Sequence, residues 1–367
     1  MEILNSHRFC EGISIKPVTK NRLSSESAEL ERFSLFIKEN KLKFNQETKL
    51  WDSDGLVIVT DNVIKGGRFP LRFGKVKDFS CNTCKSLVSL DGAPNEVECF
   101  DCSGCTSLKS LKGAPTDAFG FDCNGCTSLE TLEGAPKAAF SFICTNCTSL
   151  KSLKGAPTMG ISRTDRKTRV ESVFLFECNG CNGIKNLKGS PNTANFFNCK
   201  DCKGLVSLKG APKDVTSTFN CDGCDGLETL DGAPTYVKEV FSCKNCKGLV
   251  SLKGAPLSVE DTFNCGGCDK LLSLEYASDC RYFFCNECNS LKSLKDAPFV
   301  TKVFSCEKCS SLTTLDGAPN DVEDFYCDGC TNLNNLKHLP QNIEKTLKVP
   351  SHLKRYVSPY YNNVIKK

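Results

Sequence analysis

The sequence predicts a β-rich solenoid, and three observations carry that prediction. One motif, F-x-C-x-x-C-x-x-L-x-x-L-x-G-A-P, occurs twelve times between residues 79 and 330, and Phe100, Cys102, Cys105, Leu108, Leu111, Gly113, Ala114 and Pro115 spell it in full. Its first cysteines, Cys81, Cys102, Cys123, Cys144, Cys178, Cys199, Cys221, Cys243, Cys265, Cys285, Cys306 and Cys327, stand 20 to 22 residues apart, with one longer gap between Cys144 and Cys178. The Phe and the second Leu are present in all twelve units. A unit this short cannot bury its own apolar face, so neighbours must stack and share one core. The expected organisation is an α+β N-terminal cap over 1–70, a solenoid of about 12 repeats over 71–330 with a loop inserted near 158–172, and a C-terminal cap with a basic tail over 331–367.

The cap comes first. Residues 1–70 balance 11 basic against 10 acidic side chains and lie outside the repeat. Ser24 to Asn40 holds Leu30, Phe33, Leu35, Phe36 and Ile37 behind Ser and Glu, which suits one amphipathic helix. Leu42, Phe44, Leu50 and Trp51 suggest a hairpin, Leu56 to Thr60 a strand, and Phe73, Val76 and Phe79 the approach to the first repeat. Such a segment would shield the first open edge of the solenoid from water and from edge pairing.

Within a repeat, Phe-x-Cys places two side chains on one face of a strand, pointing inward. The second cysteine follows once the chain has begun to turn, and Leu-x-x-Leu suits a curved, non-helical return. Gly-Ala-Pro then closes the coil, because Gly supplies backbone freedom while Pro fixes φ and removes a donor. Departures are few: Ile184 for the first Leu, Ser190 for Ala, Asp296 for Gly, Tyr276-Ala277-Ser278 for Gly-Ala-Pro, and His338-Leu339-Pro340 in the last unit.

The pattern resembles the leucine-rich repeat family, whose units run L-x-x-L-x-L-x-x-N/C-x-L. Val97, Phe100, Cys102 and Cys105 match its strand leucines and its Asn/Cys position, with Leu108 one residue late. Cys105-Thr106-Ser107-Leu108 also looks like the C-x-S-L of BspA-like repeats, and F-x-C with L-x-S-L-x-G-A-P is similar to short repeats in proteins of tailed bacteriophages. The likeness covers about 70% of the chain. It implies a leucine-rich-repeat-like solenoid with Phe and the first Cys inside. The second Cys would replace the asparagine ladder that bonds the neighbouring coil's backbone.

Adjacent repeats give C-x2-C-x17-C-x2-C, a spacing also read as zinc sites, and free thiols can equally act as small buried hydrophobes. The inward position beside an unvarying Phe, the equal regularity of the Leu and Phe pattern, and repeats that do not alternate in type favour buried thiols over zinc or disulfides. No metal or other cofactor is therefore expected. The alternative is a zinc-binding, Cys-rich structural or nucleic-acid-binding module.

Candidate partner contacts lie in two places. The insertion carries Arg163, Arg166, Lys167 and Arg169, and reads equally as a binding loop or as a solvated one. The position between Phe and Cys faces outward on every strand and forms a row on the order of 55 Å long at a strand spacing of about 4.8 Å. Its early members include Asp101, Asp122 and Glu177, which would attract a basic partner, and its later ones Phe284 and Tyr326, which could anchor one. After Cys330, seven basic residues oppose one acidic one, against 29 and 32 over residues 71–330. Lys348, Lys354 and Arg355 interleave there with Tyr356, Tyr360 and Tyr361, a pattern compatible with nucleic acid or with a solvated cap.

The longest aliphatic run, Leu56 to Val59, cannot span a membrane, and residues 1–12 hold no apolar signal segment. With 27 cysteines, a reducing cytoplasm is the expected location. The three histidines, His7, His338 and His352, stand in or beside the terminal segments, and no phosphate-loop, dinucleotide or Ser/His/Asp signature can be assembled. The sequence therefore points to a non-enzymatic scaffold that binds a protein. By the phage resemblance, that partner would be a host or phage protein, met in the host cytoplasm or on the particle.

Overall fold

The computed structural model describes residues 25–158, 160 and 174–365. They fall into two compact units, 1–149 with 155–172, and 150–154 with 173–367.

In the first unit, helix α1 (Ser25–Glu39) leads into a hairpin of β1 (Lys43–Asn45) and β2 (Leu50–Ile58), paired Phe44 to Trp51. The helix docks through buried Phe36, whose ring meets Phe73 edge-on at 6.5 Å. Its end is tied to β2 by Asn40, whose Oδ1 accepts the Ile58 N–H at 2.6 Å while its Nδ2 donates to the Phe36 carbonyl. The anticipated helix and hairpin are both present. Leu56 to Thr60 is not a separate strand, because two register shifts against the next strand let β2 run unbroken through Asp52-Ser53-Asp54.

β3 (Phe73–Ser80), β4 (Val97–Asp101), β5 (Asp117–Asp122) and β6 (Ala138–Ile143) follow in parallel, one per coil. Their register aligns Val57, Phe79, Phe100, Phe121 and Phe142. Val57 thus takes the place of the repeat's Phe, and buried Val59 that of its first Cys. β2 is an extra coil that the consensus does not reveal.

The second unit continues the same construction with β7 (Leu175–Glu177), β8 (Thr193–Asn198), β9 (Asp214–Asn220), the split strands β10 (Tyr236–Val237) with β11 (Val240–Ser242) and β12 (Ser258–Val259) with β13 (Thr262–Asn264), then β14 (Tyr282–Phe284), β15 (Val303–Ser305), β16 (Asp321–Tyr326) and β17 (Asn342–Lys348). Phe176, Phe197, Phe219, Phe241, Phe263, Phe283, Phe304 and Phe325 stand in register, and Leu347 occupies their place on β17. A 3-10 turn, Ser351–Tyr356, seats buried Leu353, and the Leu347 N–H donates to the Val364 carbonyl at 2.8 Å, so the tail occupies part of the last strand's edge. Counting β2 and β17, the fold is a β-solenoid of about fourteen coils, five in the first unit and nine in the second.

Each of the twelve repeat coils contributes one Phe, two Cys and at least one Leu or Ile to an interior closed to water. Successive rings lie 5.1 to 5.7 Å apart and near-parallel in most steps, 10° between Phe100 and Phe121 and 4° between Phe219 and Phe241. That is the offset stack which a strand spacing of about 4.8 Å imposes on identical side chains. Two backbone features close each coil. A Cβ on Gly113 would sit 2.5 Å from the Asp91 nitrogen, so glycine there lets adjacent coils touch. The residue before each second cysteine is left-handed, from Thr83 (φ 57) through Gly104 (φ 68) to Lys308 (φ 59).

Replacing the central Phe219 with Ala is expected to lower unfolding free energy by about 3–5 kcal/mol, read from denaturant midpoints. Lys308→Gly is expected to raise it by about 0.5–1 kcal/mol, since removing about 1–2 kcal/mol of left-handed strain outweighs the added entropy of glycine.

Candidate functional site

The cysteines come first, because they decide which chemistry the coils can perform. The left-handed residue turns the chain so that the second thiol points back across the stack. Cys105 Sγ donates to the Cys81 carbonyl at 3.1 Å, Cys126 to Cys102 at 3.1 Å, Cys202 to Cys178 at 3.1 Å and Cys330 to Cys306 at 3.1 Å. At the start of the stack, Cys84 reaches the Val59 carbonyl at 3.3 Å. First cysteines face the other way, as Cys123 does toward the Ile143 carbonyl and Cys221 toward Ser242, each at 3.3 Å. The thiols therefore form the inter-coil ladder that the resemblance assigned to asparagine, which explains why valine or alanine does not replace them. Among the described residues, no group of three or more His, Cys, Asp or Glu is placed to hold a metal ion.

This environment disfavours the thiolate. Burial pushes Cys81 well above the usual thiol range, the contact with Cys126 followed by burial does the same to Cys102, and burial takes Cys280 up to about 12. At these three positions the thiol is held in its protonated form.

Outside the core, several charges on the turns pair between neighbouring coils. Lys203 pairs with Asp225 at 2.8 Å, Lys247 pairs with Asp269 at 2.7 Å, and Asp269 also accepts from Asn289. Along the return, Lys112 pairs with Glu133 and Lys209 with Asp231, each at 3.2 Å. In the C-terminal segment the Lys348 ammonium lies 5.2 Å from the Tyr326 ring centroid, the Arg355 guanidinium 4.7 Å from Tyr356, and the Tyr361 hydroxyl donates to the Pro340 carbonyl.

The outward strand row is more enclosed than a solvated face. Asp101 is buried; its Oδ2 accepts from Ser80 Oγ and Asn82 Nδ2 at 3.1 Å and its Oδ1 from the Ser103 N–H at 2.9 Å. Asp122 is half-buried and accepts the Asn124 N–H at 2.7 Å. The same bond to the residue two further on recurs at Asn220 and Asn264, so one task of this position is to close the turn after the strand. Glu177 is buried beside Asn179. Phe284 and Tyr326 are half-exposed and flank Ser305, which is 2% exposed between them. Asp101 and Asp122 are direct register partners, whereas Phe284 and Tyr326 are two strands apart. Arg163, Arg166, Lys167 and Arg169 lie outside the described residues.

Sequence reasoning missed a second set of outward aromatics, one or two residues before the core Phe. Phe119 and Phe140 stack at 4.5 Å and 11° on the first unit, and Phe196 and Tyr282 are half-exposed on the second. The signal was present in the doubled aromatics of Phe119-Gly120-Phe121 and Phe140-Ser141-Phe142.

No protein-family model matches this chain, and no curated protein matches it. Among solved structures, a leucine-rich repeat protein from Bacteroides ovatus ATCC 8483 is similar at 15% identity and a TM-score of 0.36, covering 89% of this chain and 97% of that one. No helix of the described residues is long and apolar enough to cross a membrane.

Stability should depend on keeping the thiols protonated. Burial and contact with a neighbouring thiol hold first cysteines such as Cys81, Cys102, Cys221 and Cys306 above the unfolded value of about 8.5, so the stabilisation their protonation gives is complete below that pH and is lost as pH rises toward the folded values. Thermal melting followed from pH 7 to 10.5 should show an accelerating fall in Tm from about pH 9; a flat profile to pH 10 would contradict the energetic role of these buried first thiols.

Proposed function

We propose that this chain is a non-enzymatic scaffold that binds a protein through the outer faces of its strands. The observation that carries this reading is the gathering of half-exposed aromatic side chains on those faces, Phe119 and Phe140 on one unit and Phe196, Tyr282, Phe284 and Tyr326 on the other. A solenoid's interior consumes its aromatics, and every core Phe is accounted for inside. Aromatics left half in water on a regular face are the residue type that dominates binding energy at protein interfaces. Among the described residues, no group of three or more His, Cys, Asp or Glu is gathered at one point, and His352 Nε2 lies 2.9 Å from the Leu333 carbonyl.

The similarity of the motif to tailed-phage repeats makes a bacterial or phage protein the first partner to seek. Immobilised wild-type chain and a Phe284→Ser/Tyr326→Ser variant of equal melting temperature should be compared on bacterial lysate, with and without phage infection. A protein retained by the wild type and reduced at least about tenfold on the variant is expected from the loss of two aromatic anchors. An identical retained set, or nothing above blank resin, would overturn the assignment of this face.

A further inference from the structure

We infer that the groove across the coils of β15, β16 and β17, where the chain enters those strands, is a binding site for a neutral saccharide, with the Tyr360 ring as the platform for one pyranose. This site is independent of the scaffold reading above, which uses other side chains.

The groove is built by a break in register. β16 and β17 pair Val322 with Ile343 and then Asp324 with Thr346, so Glu344 and Lys345 together stand opposite Glu323. Such a bulge re-aims side chains. Here Lys345 reaches Glu323 Oε2, while Lys302 from the preceding coil reaches Oε1 at 2.6 Å, and the Glu323 side chain is 20% exposed between them. Beside this triad, Asn342 Nδ2 donates to Asp321 Oδ1 and the Tyr360 hydroxyl donates to Asn342 Oδ1 at 3.4 Å. Tyr360 arrives on a 3-10 turn, Pro359–Tyr361, that Ser358 caps, and its ring meets Tyr361 edge-on at 5.1 Å; the Tyr361 hydroxyl is in turn bonded to the Pro340 carbonyl. Tyr360 is thus held at its hydroxyl and at its ring while 69% of it stays exposed. A ring fixed before binding loses little freedom when a ligand covers it.

Size and charge select the occupant. The groove, of about 560 Å³, lies within the roughly 300–1,000 Å³ of small-molecule sites. Around it, among the described residues, Lys302 and Lys345 oppose Asp321, Glu323 and Glu344, and both lysines share Glu323, so neither an anion nor a cation meets a field of one sign. What the groove offers is hydrogen bonding of both kinds at fixed positions. Each ammonium has three N–H groups and gives one to Glu323, while the Asp321 carboxylate and the Asn342 amide bring acceptors. A hydroxyl donates and accepts, so a polyol answers both. The Tyr360 ring adds an apolar face whose negative quadrupole attracts polarised C–H groups. A pyranose carries that combination, with hydroxyls around its rim and C–H groups on its flat faces.

The test titrates the full chain with the methyl glycosides of glucose, galactose, mannose and N-acetylglucosamine, one at a time, read by ligand-observed saturation-transfer NMR. Saturable binding of at least one is expected, with Kd on the order of 1 mM. It should stay within about twofold between low and physiological salt, because the ligand is neutral. Tyr360→Ser should weaken it by roughly tenfold, and Tyr360→Phe, which keeps the ring, by less than about threefold. Lys302→Met/Lys345→Met, which removes both ammonium donors, should weaken it by roughly fivefold or more. Melting temperatures equal to wild type separate loss of the site from loss of the fold, and if Tyr360→Ser does not fold, the lysine variant decides. No saturation by any of the four glycosides up to about 50 mM, full affinity in a well-folded Tyr360→Ser chain, or tighter, salt-sensitive binding of glucuronate in place of the neutral sugars would each overturn the inference. Should the sugars fail while Phe284→Ser/Tyr326→Ser still loses a captured protein, the saccharide site falls and the scaffold reading stands.

Discussion

The constraint on which the structure depends is the hydrogen-bonded register of one coil on the next, at a spacing of about 4.8 Å. Once Phe79 is held against Phe100 and Phe100 against Phe121, identical side chains must fit at that interval. Flat rings can do so by stacking with a small offset, and they do. The corner must also let two backbones touch, which is why a Cβ at Gly113 would fall within 2.5 Å of the preceding coil. Where Tyr276, Asp296 and His338 stand at that corner, the left-handed backbone is kept at φ 64 to 71 and the glycine is not.

The cysteines follow from the same geometry. A coil of about twenty-one residues encloses a narrow interior, and its turn leaves a carbonyl pointing along the stack that needs a donor. Valine would fill the space and orphan the carbonyl; asparagine would satisfy it but bring in further polar atoms that need partners. A thiol is small enough for the first demand and polar enough for the second. Being a weak donor, it suits a carbonyl that already accepts a backbone bond, as that of Cys81 does from the Cys84 N–H at 3.3 Å.

Most of this architecture was legible in the sequence, because a solenoid writes its core into its period. The inward Phe and Cys and the closing glycine could be read from residues 100–115, and the ladder role of the second Cys came from the leucine-rich repeat resemblance. The coil built on β2 was not, because Val57 and Val59 fill the Phe and Cys places without the motif. The left-handed site before each second cysteine was also hidden, because Thr83, Glu287 and Lys308 stand there beside glycines. For the candidate surface, strict alternation along a strand predicted one outward position per coil. The two-residue step between Ala118 and Phe121 breaks that alternation and adds Phe119 to the face. Asp101 illustrates the opposite error: a polar residue that alternation places outside can still be consumed by turn closure and by its neighbours.

A repeat protein faces an electrostatic hazard that irregular folds escape, because the same position returns at short intervals and like charges pile up in rows. The second unit meets it by alternation, with Lys203, Asp225, Lys247 and Asp269 following one another along a single row. Asp101 beside Asp122 is the same hazard left unalternated, and Asp101 is held by donors from Ser80, Asn82 and Ser103 instead of by a cation. The same hazard therefore has two remedies in this fold: an opposite charge from the next coil on the turns, and neutral donors from the turn and the neighbouring coil on the strand face, where a buried carboxylate needs its hydrogen bonds met more than it needs a counter-ion.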